Sequence, residues 1–546
     1  MSGLKDGVLR YLAFRDLREA STSDLASDLA PALAVTFLSV PSGIAYALIA
    51  GVPPALGLYA AAVPAIVGGL FRSSNHVVTG PTNALSLLIG TLTASQTAAD
   101  PLTFVTTLTV MTGLIQLLGG YLRLGSVVDY ISTPVVTGYI TGAGTLIIIG
   151  QLANATGSPG ARGDVWTQLR AWVAGLGDTQ PLTLAITVAT VALLLGLGRF
   201  VPRVPGALTV MLLGIGLSFA FDLSAYGVAT VYDVSPVPMG LPPLTTPDWQ
   251  LMRQLGSAAF ACTVLSFVES SSVGRAIARE TGERLDMSTE LAGQGLANLL
   301  GGFAGAFVTS GSLTRSALNH RAGAKTRLSG VYSGLLMLGV LLVLGPIVNL
   351  TPIAVLAGLL LTVAVRLIDL ERIRHILAVR WSDAAAFVVT VGATWTLPLD
   401  QAIEVGIALS LVSFLRRARL IEPQELSPDV EGRLLAAPIG SAPGAKGSPI
   451  RFVQFSGAMF FGSAGELRDA LDGLADDPGT RVLILRLKHT QRRDYSSAEV
   501  IASLSRRMKE RDQTLLMAGM DASALNTLKK SGVVAELGDN QLFLSD

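Results

Sequence analysis

The sequence predicts a polytopic α-helical membrane protein of fourteen segments, arranged as seven-plus-seven inverted repeats and followed by a small soluble α/β domain. Three observations predict it. Half of the 546 residues are hydrophobic and only 14% are charged, where a soluble chain has about 25%. Apolar stretches long enough to cross about 30 Å of hydrocarbon, or nearly so, recur as far as residue 417. One pattern also occurs twice, as VVTGPTNALSL at 77–87 and FVTSGSLTRSAL at 307–318. Each copy falls on the third stretch of its half. An offset of seven spans, an odd number, inverts the second copy relative to the first.

The first 29 residues mix both charges and lack an apolar core with a small-residue cleavage site, so they are expected as a cytoplasmic N-terminal segment. The transport domain then covers 30–417. Its expected spans are 30–50, 53–71, 80–97, 102–123, 125–151, 181–201, 206–226, 255–277, 286–306, 312–320, 327–349, 352–368, 382–397 and 399–416. The tenth is too short to cross at about 1.5 Å per residue, and the third opens on an extended HVVTGP. Basic residues orient the chain. Loops assigned to the inside carry Arg72, Arg123, Arg199, Arg275, Arg279, Arg284, Arg321, Lys325, Arg327 and Arg372, whereas outside loops are uncharged or mixed, as at Asp222, Asp233 and Asp400. Both termini are then cytoplasmic, in a bacterial inner membrane.

After the last span, 418–449 is rich in Pro, Gly and Ser and is expected as a linker. In 450–546, IRFVQFSG, RVLILRLKH and QTLLMAGM read as strands and alternate with three stretches of helical period. Alternation of this kind makes a small α/β domain.

Net charge of +1 argues against nucleic acid as a partner. The single cysteine, Cys262, has no internal partner. No His/Cys/Asp cluster has metal-ligand spacing, and no Gly-rich loop precedes a Lys-Ser/Thr pair. The expectation is therefore no enzyme, metal or cofactor. Without an ATP-binding motif, pumping has to be secondary.

Each copy of the repeated pattern runs from an apolar strand through glycine to a plausible helix start. Two broken helices with their N-termini meeting near the midplane make a positively polarised place for an anion. Arg315 adds a full charge in the first turn of the second, with Gly311 as the expected turn. Glu269 is the clearest mid-span carboxylate, and an ionisable group at such depth is a functional candidate. It either carries a proton or stays ionised beside Arg315 or a sodium ion. Ser42 and Tyr46, four apart, share one helix face.

PSGIAYALIAGVPPALGLYAA (41–61), TGPTNALS and SLTRSALNHRAGAKTRLSG (312–330) resemble three signatures of the SulP family, solute carrier family 26. The C-terminal region resembles its STAS domain. The resemblance implies a fold shared with uracil permeases, in which a core domain moves against a gate domain, and a homodimer. It also implies an anion site of Ser42 and Tyr46, of Gly80, Thr82, Asn83 and Ala84, and of Gly311, Ser312, Leu313, Thr314 and Arg315. Glu269 falls on a position linked to cation coupling, which favours proton symport, with sodium as the other cation. Sulfate, bicarbonate or a C4-dicarboxylate such as fumarate fits the anion. The rival readings are an uncoupled exchanger or channel, and a membrane-tethered signalling protein whose STAS domain meets a regulatory partner. The STAS resemblance departs from pattern at HTQRRDYSSAEV. There Gln491, Arg492 and Arg493 replace apolar residues, and Asp494, Tyr495, Ser496 and Ser497 sit where a phosphate would bind or attach.

Overall fold

The computed structural model describes residues 26–543, except 96–99, 162, 202–203, 420, 429–433, 440, 442–447, 478, 489, 492–493 and 521. Most of the expected N-terminal segment, together with Arg492 and Arg493, lies outside the described residues. The chain divides into two compact units, 1–410 and 411–546.

Helices fall on each apolar stretch. The first series is α1 (Leu29–Ile49), α2 (Pro54–Phe71), the strand β1 (Thr79–Gly80), α3 (Asn83–Ser95), α4 (Pro101–Tyr121), α5 (Thr133–Thr156), α6 (Pro181–Phe200) and α7 (Gly206–Phe221). The second is α8 (Gly256–Thr281), α9 (Met287–Phe303), the strand β2 (Ser310–Gly311), α10 (Leu313–Arg321), α11 (Leu328–Val343), α12 (Ile353–Leu367), α13 (Trp381–Thr396) and α14 (Leu399–Ala418). By length and composition, α1, α2, α4, α5, α6 and the stretch Ile353–Val379 that contains α12 are apolar and long enough to cross a membrane. Proline in the first turn starts α2, α4, α5 and α6, where its missing N–H costs nothing. The fifth helix starts later than expected because Leu124–Tyr130 first forms a 3-10 helix.

The helices pack in two groups. In one, α9 lies against α4 and α2, and α11 against α2 and α1; in the other, α12 and α13 lie against α5, and α6 against α12. Small residues let backbones touch. A β-carbon on Gly57 of α2 would lie 1.9 Å from the carbonyl oxygen of Gly43 on α1, so the SGIAYALIAGVPPALG stretch closes on itself only with glycine at both places.

The second unit is a sheet of order β4-β3-β5-β6-β8 with helices α15 (Ala464–Ala475), α16 (Tyr495–Glu510), α17 (Ala522–Lys530) and α18 (Val533–Leu537). Strands β5 (Ile450–Ala458), β6 (Val482–Arg486) and β8 (Thr514–Ala518) run parallel, and β7 (Thr490–Gln491) pairs with the end of β5. Phe455, Leu471, Leu485, Leu504 and Met517 share the core. The segment expected as a linker supplies part of this sheet. Its β3 (Glu422–Pro428) and β4 (Leu434–Pro438) pair antiparallel, and β3 continues onto β5. The composition misled because Pro428 and Pro438 each end a strand. A buried ion pair joins the addition to the domain: Arg451 Nε donates to Glu425 Oε1 (2.8 Å) and Nη2 to Oε2 (3.0 Å).

Candidate anion-binding site

Strands β1 and β2 pair antiparallel, Thr79 opposite Gly311 and Gly80 opposite Ser310. Two residues a side cannot satisfy the backbone around them, and buried polar groups left without a hydrogen bond cost about 2–7 kcal/mol each. Side chains make up the difference. Thr309 donates its N–H to Asn298 Oδ1 (2.8 Å), and its carbonyl accepts from Ser266 Oγ (2.7 Å), Gln294 Nε2 (2.8 Å) and Asn298 Nδ2 (3.2 Å). Gly311 N–H donates to Ser270 Oγ (2.6 Å), Val78 N–H to Ser316 Oγ (3.0 Å) and Ser312 N–H to the Val78 carbonyl (3.0 Å). Gly311 does not have the left-handed backbone expected of a turn glycine. It is glycine because a β-carbon there would meet Val77 Cγ1 at 2.9 Å and the Ser270 Cα at 3.1 Å.

Each strand leads straight into a helix start. Ser312 precedes α10 but makes no side-chain cap. Thr82 precedes α3, its carbonyl accepting from Ser86 N–H (3.0 Å), while its hydroxyl turns to Glu269. Oε2 of Glu269 accepts from Thr82 Oγ1 (2.7 Å) and from Ser310 Oγ (2.5 Å), so one carboxylate on α8 holds both crossovers.

Arg315 is 1% exposed. Its Nη2 donates to the Pro81 carbonyl at 2.6 Å, and its Nη1 has no hydrogen-bond partner. It forms no ion pair among the described residues. Ser42, Tyr46, Ser312, Thr314 and Arg315 line one cavity of about 460 Å³, together with Leu194 and Thr362. Arg321 and Arg366 line it too, and among the described residues no carboxylate does.

Five of the expected site residues thus share a cavity, and the others lie elsewhere. Gly80 and Gly311 form the ladder behind it, and Thr82 and Glu269 are joined there. Asn83 is half-buried with Oδ1 unpartnered. Ala84 is buried in the apolar core, and Leu313, 61% exposed, is not among the cavity residues.

Arg72, expected as a loop charge that orients the chain, is instead 1% exposed. Its Nη2 lies 2.6 Å from Glu290 Oε2, and its Nη1 donates to Thr79 Oγ1 and Gln294 Oε1, both at 2.9 Å. Glu290, Gln294 and Asn298 escaped the sequence reading. Their spacing of four on an apolar helix, ELAGQGLAN, was the available signal. Arg366 carried the same kind of signal, a cation near the end of an apolar run.

In the second unit, the start of α16 is occupied by its own carboxylate. Asp494 Oδ1 accepts from Ser497 N–H (3.0 Å) and Oδ2 from Phe461 N–H (2.6 Å). Ser497 is buried. Here the expected phosphate position is capped from within.

The model of the sulfate permease family matches residues 25–390, and that of the STAS domain matches 445–545. A probable sulfate transporter of Mycobacterium tuberculosis is 27% identical over 555 residues, covering 100% of this chain and 97% of that one. Human solute carrier family 26 member 6 is 30% identical over 476 residues, covering 82% of this chain and 62% of that one. Murine solute carrier 26 family member A9, an anion transporter solved in the inward-facing state, shares the fold with a TM-score of 0.88 at 20% identity, over 99% of this chain and 94% of that one. The transmembrane domain of a cyanobacterial bicarbonate transporter does so at 0.62 and 24% identity, over 72% of this chain and 98% of that one.

Proposed function

The chain belongs to the sulfate permease family and carries a STAS domain, and from that premise we propose that it is a proton-coupled secondary transporter of a small anion. One observation carries the reading. A buried guanidinium, Arg315, has among the described residues no hydrogen-bond partner for Nη1 and no carboxylate partner, and it lines a cavity at the start of α10. A buried cation is stabilised only by a partner, and here the anion is that partner. Sulfate, bicarbonate and a C4-dicarboxylate are the candidates, the first two being what relatives are named for.

The two packing groups act as core (α1–α4 and α8–α11) and gate (α5–α7 and α12–α14), with the cavity between them. The segments number fourteen in two inverted repeats, a reading supported by the antiparallel β1–β2 pair, one strand from each half. Transport is elevator-like, with the core carrying the anion past the gate. The chain works as a homodimer in a bacterial inner membrane, with both termini and the STAS domain cytoplasmic, and that domain regulates.

Glu269 carries the coupled proton. Ionised, it accepts from two hydroxyls; protonated, it donates, and one hydroxyl rotates from donor to acceptor, which Ser and Thr do freely. The proton cancels one negative charge during the crossing. A second reading, an uncoupled exchanger or channel, is favoured by one fact: Glu269 is not among the residues that line the cavity.

Uptake of labelled sulfate, bicarbonate and fumarate into proteoliposomes tests both readings, with and without an inward proton gradient and with sodium replaced by choline. Accumulation that follows the proton gradient is expected. Exchange indifferent to pH selects the second reading, and uptake that needs sodium replaces the proton.

A further inference from the structure

Two cations of the cavity play no part in the site just described. Arg321 ends α10, and Arg366 lies in the last turn of α12. Both are exposed to the cavity that reaches Arg315. Neither is hydrogen-bonded or ion-paired to a described residue. Along α10, Arg321 follows Arg315 by about 9 Å at 1.5 Å per residue. Arg321 and Arg366 belong to different walls: α10 packs on α1 and α8, and α12 chiefly on α5 and α6.

We infer that Arg321 and Arg366 form a second, outer anion subsite, which takes the oxyanion or carboxylate before it reaches Arg315. This rests on the anion-transport reading and deepens it. Guanidinium groups fork onto carboxylate, sulfate or bicarbonate oxygens through paired N–H donors. Two guanidiniums that face one cavity without a partner among the described residues repel, and an anion between them removes the repulsion. Because one sits on each wall, the walls resist closing on an empty cavity and close once an anion bridges them. The subsite therefore serves as entry point and as a check against empty closure.

The test uses the full chain in proteoliposomes and does not depend on knowing the substrate. A cysteine placed at Thr362, which lines the cavity, reports the local potential through its rates with an anionic and a cationic methanethiosulfonate. The natural Cys262 is 0% exposed and silent. Replacing Arg321 and Arg366 together by glutamine is expected to lower the anionic-to-cationic rate ratio at least about tenfold. Lysine at both positions restores it. Sulfate slows labelling only while the arginines are present. An unchanged ratio overturns the subsite, and so does a cysteine inert to both reagents. Uptake of the anion panel by the parent chain is scored separately. A shifted ratio without uptake sinks transport and keeps the subsite, whereas uptake with an unchanged ratio sinks the subsite alone.

Discussion

Gly80 and Arg315 occupy one volume. A β-carbon on residue 80 would lie 1.7 Å from Nη1 of Arg315, so the glycine of the first crossover makes room for the cation of the second. The two crossovers therefore meet as a lock between specific atoms, and not only as two similar motifs.

Gly80→Ala is expected to push the guanidinium out of place. A displacement near 1 Å at a reacting or binding centre costs up to about 100-fold, so initial uptake should fall at least tenfold, as it should for Arg315→Gln. Uptake per reconstituted protein measures this. Wild-type rates in Gly80→Ala would show that Arg315 does not bind the anion through Nη1.

Glu269→Gln keeps the two hydroxyl contacts and removes the titrating group. In the wild type, net uptake should rise as the outside pH falls. In the variant it should be flat with pH, while anion-for-anion exchange survives. A variant that still accumulates anion down a proton gradient removes Glu269 from the coupling.

Glu290→Ala leaves Arg72 buried without its carboxylate. Breaking a buried pair from one side costs about 3–5 kcal/mol. Thermal unfolding in detergent should show a large drop for Glu290→Ala and a smaller one for the double variant with Arg72→Ala, because the double variant leaves no orphan charge. A double-variant loss equal to the sum of the two single-variant losses would mean the pair is not coupled.

Arg451 should anchor β3 to the STAS sheet. Hydrogen bonds donated to Glu425 raise its guanidinium above its ordinary value, with burial opposing and the charges of Glu425 and Asp477 adding. A raised cation pKa stabilises the fold below the unfolded value, so the pair holds through neutral and moderately alkaline pH. Glu425→Ala should cost about 3–5 kcal/mol, seen as faster amide exchange across β3 and β5 in the full chain. Unchanged exchange would make the hairpin an independent appendage.

The apolar runs and the glycine crossovers were legible because each is a property of neighbouring residues. Helices lie on the expected stretches to within a few residues, except at α5, where a 3-10 turn precedes the helix. Arg315 was singled out as a full charge in the first turn of the second crossover helix, and it lines a cavity that, among the described residues, no carboxylate lines. Arg72 was misread. Its partner Glu290 lies 218 positions on, so a buried cation looked like a surface one. The hairpin of 422–438 was missed because proline at strand ends has the composition of a linker.

By itself the sequence determined the class, the order of the elements and the two crossovers. Apolar length, helix period and glycine placement act over one or two turns of chain, so they can be read one segment at a time. Only the tertiary structure decided which buried charges find partners: Glu269 with two hydroxyls, Arg72 with Glu290, and Arg315 with a backbone carbonyl and, among the described residues, no carboxylate. Those outcomes depend on which groups meet across hundreds of residues, where burial makes pairing costly to omit, and no local pattern records them.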